Sequence, residues 1–228
     1  MRDEDLRGDR QPEFTQLDLE MSFVDREDVL DVVEGLVKGL VPAVTPHKRL
    51  IDPFPKLTYE EAMSRFGTDK PDLRFGMELV DLTDMFRDSE FKLFAEAAAA
   101  GQAVKAIKAT SCASYSRKDL DLLTERVKSS GARGLATIAW TSAGLKGSIA
   151  KALGEAQAGE LARRMEAAEG DLVCMVAEKP ALANKVLGSL RLEFRDRLKL
   201  APLDLLAFAW VVDFPMFAWD EETKPNLS

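Results

Sequence analysis

The feature that most constrains the fold is an abrupt change of hydrophobic period at Asp25. Apolar and polar residues alternate from Gln16 to Phe23, which predicts a strand over Phe14–Val24 with one buried face and one polar face. From Asp25 onward the apolar residues recur at helical spacing, which predicts a helix with Asp25 as its N-cap. The predicted strand displays one polar row, which consists of Gln16, Asp18, Glu20 and Ser22.

Capping boxes and glycines predict most of the other elements. Thr58 and Glu61 predict a helix from Tyr59 to Phe66, and Gly67 ends it. The other predicted helices are Arg117–Ser130, Ser148–Leu153, Glu155–Ala168 and Ala181–Leu198. The other predicted strands are Met77–Leu82, Phe91–Phe94, Ala103–Ala109, Leu135–Thr141, Leu172–Ala177 and Ala207–Phe214. This mixture predicts an α+β fold, with a domain boundary near residues 77 to 88.

Composition excludes several classes of protein. A formal net charge of −8 and 46% hydrophobic residues are typical of globular chains. The longest apolar run, Leu205 to Val212, has eight residues, far below the roughly 20 that a membrane helix needs. We therefore expect no membrane partner, a cytoplasmic location and no DNA partner, since an acidic chain attracts a polyanion only through local basic clusters.

The chain has few residues suited to a metal site or a catalytic triad. Cys112 and Cys174 form no Cys-x-x-Cys motif, so we expect both to be reduced and buried. The single histidine, His47, lies in a proline-rich connector, where a solvated loop residue is the favoured interpretation. We predict no metal ligands in this chain.

The segment from Arg2 to Phe23 reads RDEDLRGDRQPEFTQLDLEMSF. Its residue types alone indicate a charged loop and a sheet with one solvated face. Its order resembles the second signature motif of the class II aminoacyl-tRNA synthetases, and in detail that of the bacterial aspartyl-tRNA synthetases. Further blocks of that family follow in order, namely FPKLTYEEAM (54–63), FGTDKPDLRFG (66–76), ELVDLTD (78–84), KGSIAK (146–151), GDLV (170–173) and VVDFPMF (211–217).

The resemblance implies that ATP activates L-aspartate, which is then transferred to tRNA-Asp or to tRNA-Asp and tRNA-Asn. Arg2 is the implied catalytic residue, because a planar guanidinium binds an ATP phosphate and the aspartate carboxylate bidentately. The other implied roles are ATP binding for Asp3, Glu4 and Gln11, aspartate binding for Asp18, and contact with the tRNA acceptor end for Arg7 and Arg10.

The resemblance also implies a division of the chain. Residues 1–84 would be part of the class II antiparallel catalytic sheet, residues 85–200 an inserted two-layer α/β module called the GAD domain, and residues 201–228 a return strand. Thr110-Ser-Cys112 stands where the family often has a Pro-Gly-Gly turn, so the geometry of this turn is not implied.

Several parts of the family enzyme have no counterpart in this sequence. They are the motif 1 dimer elements, the strand and loop that grip aspartate, the motif 3 arginine with its metal-binding carboxylates, and the anticodon-binding barrel. We therefore expect an internal part of the enzyme that is inactive alone. The complete form would be a homodimer that uses ATP as substrate and Mg²⁺, with the metal ligands outside this chain.

Two alternatives stay open at this stage. The chain could be a shortened, non-catalytic GAD protein that binds RNA or a partner protein. It could also belong to an archaeal amidotransferase subunit with the same module, but residues 2–24 and 211–217 match the synthetases instead. The basic residues of the last helix indicate either a tRNA-facing surface or a solvated face balanced by Glu193 and Asp196; they are Lys185, Arg191, Arg195, Arg197 and Lys199.

Overall fold

The computed structural model describes residues 13–217. The chain divides into two compact units between His47 and Lys48. The described part of the first unit contains helix α1 (Arg26–Val44). The described elements of the second unit are, in chain order, β1 (Arg49–Leu50), β2 (Lys56–Thr58), α2 (Tyr59–Phe66), β3 (Val80–Asp81), α3 (Thr83–Phe86), α4 (Lys92–Ala99), β4 (Ala103–Ala109), α5 (Arg117–Ser129), β5 (Ala136–Thr141), β6 (Gly144–Lys146), α6 (Glu155–Met165), β7 (Leu172–Glu178), α7 (Pro180–Leu198), β8 (Leu205–Leu206) and β9 (Trp210–Val212).

Helix α1 begins where the change of period predicts. The Asp25 carboxylate accepts hydrogen bonds from the backbone N–H groups of Glu27 (2.9 Å) and Asp28 (3.3 Å). The Asp28 carboxylate accepts one in return from the Asp25 N–H (3.0 Å), which completes a capping box. The predicted strand Phe14–Val24 is wrong, because residues 13–24 are assigned to no strand. Alternation indicates which face of a strand would be buried. A strand also needs a neighbouring strand for its backbone hydrogen bonds, and alternation does not predict one.

Five strands form one antiparallel sheet in the order β3-β4-β7-β5-β6. The central pair, β4 and β7, is in register from Ala103 opposite Glu178 to Ala109 opposite Leu172. Nearly all side chains of both strands are buried. Since successive side chains of a strand point to opposite faces, both faces of this sheet must be covered.

Helices cover the two faces of the sheet. On one face α5 and α7 pack around Ile107 and Cys174, and on the other α3, α4 and α6 pack around Ala106 and Met175. The sheet and its helices form three layers, so the predicted two-layer arrangement is wrong. The sequence of β7, LVCMVAE, is apolar at nearly every position, which is typical of a strand that is buried on both faces.

Two short parallel pairs flank the sheet in sequence. β1 lies beside β8, and β2 lies beside β9 with Lys56 opposite Trp210 and Thr58 opposite Val212. The strands β1 and β2 thus precede the five-stranded sheet in sequence, and their partners β8 and β9 follow it. This is the arrangement of an insertion. The edge strand β3 precedes residue 85, and the division into residues 1–84, 85–200 and 201–228 stays a prediction.

Two glycines let α2 approach α7 closely. A Cβ added to Gly67 would lie 2.1 Å from the carbonyl oxygen of Asn184, and one added to Gly188 would lie 2.9 Å from that of Phe66. The buried Lys105 of β4 joins this contact, because its ammonium donates to Asn184 Oδ1 at 2.8 Å. Burial lowers the pKa of Lys105. Helix α2 is thus held on α7 by backbone proximity and by a buried side chain.

The predicted strand Phe91–Phe94 is wrong, since this segment starts α4. The Ser89 hydroxyl accepts a hydrogen bond from the Phe91 N–H at 3.1 Å, and Phe94 packs edge-on against Phe86 and Phe91. The alanine-rich run that follows favours a helix. A short apolar run is compatible with both structures, and here the helical packing decides.

The predicted helix Ser148–Leu153 is also wrong, because the segment forms turns. Its start is held against β5: the Thr137 N–H donates to Ser148 Oγ at 2.9 Å, and a Cβ on Gly147 would lie 2.2 Å from the Thr137 carbonyl oxygen. Two other predicted strands, Met77–Leu82 and Ala207–Phe214, are shorter in the structure, as β3 and β9.

Gly67→Ala should lower the free energy of unfolding far more than Gly101→Ala. Both glycines have φ +74°, but no atom lies within 4 Å of a Cβ on Gly101. We expect about 1 kcal/mol for Gly101→Ala from left-handed strain, and about 2 kcal/mol or more beyond that for Gly67→Ala from the clash with α7. Urea unfolding of both variants measures this difference, and equal losses would contradict the close helix contact.

Candidate functional site

Most of the site residues predicted from the sequence lie outside the described residues. They are Arg2, Asp3, Glu4, Arg7, Arg10 and Gln11. Asp18 is described, is exposed, and accepts a hydrogen bond from the side-chain amide of Gln16. Both residues belong to the predicted polar row, but every residue from 13 to 24 is exposed, so the predicted buried face opposite that row is wrong.

The structure places a buried cation where the sequence indicated a basic surface. Arg191 of α7 is 1% exposed. Its Nε donates to the carbonyl oxygen of Met77 at 3.1 Å, and its Nη2 donates to those of Asp72 (2.8 Å), Phe75 (3.0 Å) and Gly76 (3.1 Å). Arg191 therefore ties the loop of residues 72–77 to α7.

Two aromatic rings complete the surroundings of this guanidinium. Its carbon atom lies 3.9 Å from the ring centroid of Phe75 and 5.1 Å from that of Phe66. Both distances permit cation–π attraction. Burial lowers the pKa of Arg191 to about 10, so it stays charged at neutral pH. The charge is balanced by carbonyl dipoles and ring faces, and no described carboxylate forms an ion pair with it.

The tRNA-facing surface predicted for α7 is therefore wrong at Arg191. Leu187, Leu190 and Phe194 are buried beside it at helical spacing, which is the sequence signal that places Arg191 on the apolar side of the helix. Arg197 forms an ion pair with Glu193 at 2.6 Å, as the balanced-face alternative predicted.

The loop of residues 72–77 carries its own ion pairs. The Asp72 carboxylate accepts from Arg74 Nη2 (2.7 Å) and Nε (2.9 Å), and from Arg195 Nη1 (3.2 Å). The bonds from Arg74 are the main cause that lowers the pKa of Asp72 to about 2. Asp72 thus joins the loop to α7 a second time, beside Arg191.

Residues 110–112 form a tight turn without the glycine that the family often has there. Ser111 adopts φ +61°, in the left-handed region. The buried carboxylate of Asp171 accepts hydrogen bonds from the N–H groups of Ser111 (3.1 Å) and Ala168 (3.1 Å), and these bonds hold the turn. Cys112 and Cys174 are buried free thiols, as predicted, and burial raises the pKa of both.

Residues 13–217 contain neither a metal-binding cluster nor a membrane-spanning helix. No group of three or more His, Cys, Asp or Glu side chains in that range is arranged to hold a metal ion. In the same range, no helix combines the length and apolar character that crossing a lipid bilayer requires. His47 is exposed in the turn after α1, as the sequence indicated.

Comparison with known families decides the class of the chain. Residues 1–226 match the family described as tRNA synthetases class II (D, K and N). The chain belongs to this family of class II synthetases. The match covers nearly all of the sequence, so the described fold is a part of a class II synthetase.

Relatives of this synthetase chain are named as aspartate-tRNA ligases. The aspartate-tRNA(Asp/Asn) ligase of Rubrobacter xylanophilus is 48% identical over 222 residues, which are 97% of this chain and 37% of that protein. The corresponding ligase of Heliobacterium modesticaldum is 49% identical over 98% of the chain and 37% of that protein. The aspartate-tRNA ligase of Ruminiclostridium cellulolyticum is 46% identical over 98% of the chain and 38% of that protein. The chain thus spans less than two fifths of the length of these relatives.

Arg191→Met should destabilise this synthetase chain by about 3 kcal/mol or more, because four main-chain carbonyl oxygens lose their donor and the space of the buried guanidinium is refilled imperfectly. Arg191→Lys should recover only part of the loss, since an ammonium lacks the planar fork. The control is Arg197→Met, which breaks one surface ion pair and should cost about 1 kcal/mol or less. Urea unfolding measures all three, and similar values for Arg191→Met and Arg197→Met would contradict the role of Arg191.

The ion pairs of Asp72 predict a loss of stability in acid. Its pKa is about 2 in the folded chain against an ordinary value of 3.8, so its contribution is present above about pH 4 and is lost as the pH falls toward 2. We expect the stability difference between the native chain and Asp72→Asn to shrink over that interval. Urea unfolding between pH 5 and pH 2.5 measures it, with Asp88→Asn as an exposed control. A difference that stays constant across the interval would contradict the prediction.

Proposed function

We propose that the chain is part of an aspartate-tRNA ligase, which activates L-aspartate with ATP and transfers the aspartyl group to tRNA. The observation that carries the proposal is the match of 46 to 49% identity to such ligases over nearly the whole chain. The second-motif order in residues 2–23 supports it, since those residue types suit the chemistry of activation.

In this reaction the aspartate carboxylate is itself the nucleophile. One of its oxygens forms a bond with the α-phosphorus of ATP, and pyrophosphate leaves with the electron pair of the broken bond. The protein therefore supplies positioning and stabilisation of charge, and little acid or base catalysis. A chain with one exposed histidine is suited to such chemistry.

Within this proposal each predicted site residue has one role. Arg2 bridges the phosphate and the incoming carboxylate, and Asp18 receives the α-ammonium of aspartate. Gln16 holds one oxygen of Asp18, which orients the carboxylate for that contact. The remaining roles are ATP binding for Asp3, Glu4 and Gln11 and contact with the tRNA acceptor end for Arg7 and Arg10.

The proposal extends to the whole enzyme. We propose a cytoplasmic homodimer that uses Mg²⁺, with residues 85–200 as a GAD insertion. The His, Cys, Asp and Glu side chains within residues 13–217 do not form a metal cluster. The proposed substrate is tRNA-Asp, or tRNA-Asp and tRNA-Asn, since some relatives are named aspartate-tRNA(Asp/Asn) ligases and others aspartate-tRNA ligases.

The proposal is tested by placing this chain in a complete ligase. The chain replaces the matching 222-residue segment of the Rubrobacter xylanophilus protein. We expect the chimera to exchange pyrophosphate into ATP only when aspartate is present. Arg2→Ala in the chimera should slow exchange by about 100- to 1000-fold, as loss of a single charge-stabilising donor does.

The matched control in the chimera is Arg87→Ala, an exposed arginine outside the motifs, which should leave exchange unchanged. A folded chimera without aspartate-dependent exchange would contradict the proposal. If the 228-residue chain by itself still bound tRNA, the result would favour the non-catalytic GAD alternative.

A further inference from the structure

We propose that a basic concavity at the C-terminal end of α7 binds the phosphate backbone of the tRNA. The concavity has a volume of about 560 Å³ and is lined by Arg74, Arg195, Asp196, Lys199, Ala201 and Leu203. The inference rests on the proposed function, since it names the surface that receives the tRNA of that reaction. It lies in the second unit.

The two arginines of the concavity are held in place before any ligand binds. Arg74 and Arg195 both donate to the carboxylate of Asp72, whose side chain is only 12% exposed. A side chain that is already ordered loses little rotamer entropy when it binds, so preorganised guanidinium groups are favourable phosphate ligands. The fork of Arg74 still has Nη1 outside the bonds to Asp72.

The concavity also has positive charge in excess of its carboxylates. Lys199 is exposed, and no described residue forms an ion pair with its ammonium. The Lys48 ammonium donates to the carbonyl oxygen of Leu203 at 2.7 Å. Lys199 and Lys48 form no ion pair with a carboxylate among residues 13–217, so the concavity keeps an excess of positive charge. In a chain of net charge −8, a local cluster of this kind is where a polyanion binds.

A competing explanation is that these cations only compensate the negative end of the α7 dipole. Arg195 also pairs with Asp196 at 2.8 Å, but the Asp196 side chain is 68% exposed. An exposed ion pair contributes little energy, so a phosphate can replace Asp196 at small cost. The concave shape, with Ala201 and the exposed Leu203 as apolar floor, favours a backbone with ribose edges over a free ion.

The test measures binding of the full 228-residue chain to a fluorescent tRNA-Asp transcript by anisotropy, over a series of KCl concentrations. Lys199→Gln should weaken binding about 3- to 10-fold at 100 mM KCl and reduce the slope of log K against log salt by about 1. Lys199→Glu should weaken it further. Both substitutions are at an exposed position, and unchanged urea unfolding confirms that the fold is intact.

The matched control is Lys185→Gln, the same charge change on the same helix. Lys185 is exposed and lies about 20 Å from Lys199 along the helix. It should leave the affinity within about 2-fold and the salt slope unchanged. Equal weakening by both variants would indicate general charge attraction and would overturn the inference.

Other outcomes separate the inference from the proposed function. The proposal that the concavity binds tRNA would be overturned if the native chain bound no tRNA at 50 mM KCl. It would also be overturned if Lys199→Gln lost ATP binding but kept tRNA binding. Aspartate-dependent exchange of pyrophosphate needs no tRNA contact at this surface. If the chimera lacks exchange, the proposed function fails, whatever the tRNA-binding experiment shows.

Discussion

Arg191 brings a positive charge into the interior and surrounds it with main-chain carbonyl oxygens and two aromatic rings. A charged group in a protein interior is costly unless its donors are satisfied, and here the loop of residues 72–77 satisfies them. The loop in turn has few buried apolar side chains of its own. The loop and the helix therefore depend on each other. Because the loop lies between α2 and β3, its bonds to Arg191 also help to position both of these elements.

This network joins the five-stranded sheet to the strands that flank it in sequence. α7 lies on the sheet through Leu187, Leu190 and Phe194, and it also contacts α2 through Gly188 and Arg191. α2 directly continues β2, which pairs with β9. A displacement of the sheet relative to β2 and β9 would have to break buried hydrogen bonds, so these parts of the second unit move together.

Elements whose residues carry their own local signal could be predicted from the sequence. The capping boxes at Thr58 and Ser116 place α2 and α5, and the run of apolar residues in β7 predicts a strand. The strand predicted at Phe14–Val24 needs a neighbour that alternation cannot supply. Phe91–Phe94 is a short apolar run whose packing, and not its pattern, makes it helical.

The residues of the candidate site likewise differ in how far the sequence alone predicts their contacts. Asp18 and Gln16 share a face because of the period of an extended chain, which the sequence displays. Arg191 looks like one more basic residue of a charged helix until its partners 114 to 119 positions away are known. The left-handed Ser111 is equally hidden, because it depends on Asp171, 60 positions later.

The parallel pairing of β2 with β9 has a consequence for how such a chain changes over generations. Lys56 to Thr58 lie directly beside Trp210 to Val212, so the long segment between them starts and finishes at neighbouring points. A segment with adjacent ends can be lengthened, shortened or exchanged while the strands that flank it keep their places. The intervening sheet and the flanking strands can therefore change at different rates. At the contacts of Arg191 and Gly67, however, a substitution in one part must remain compatible with the other part.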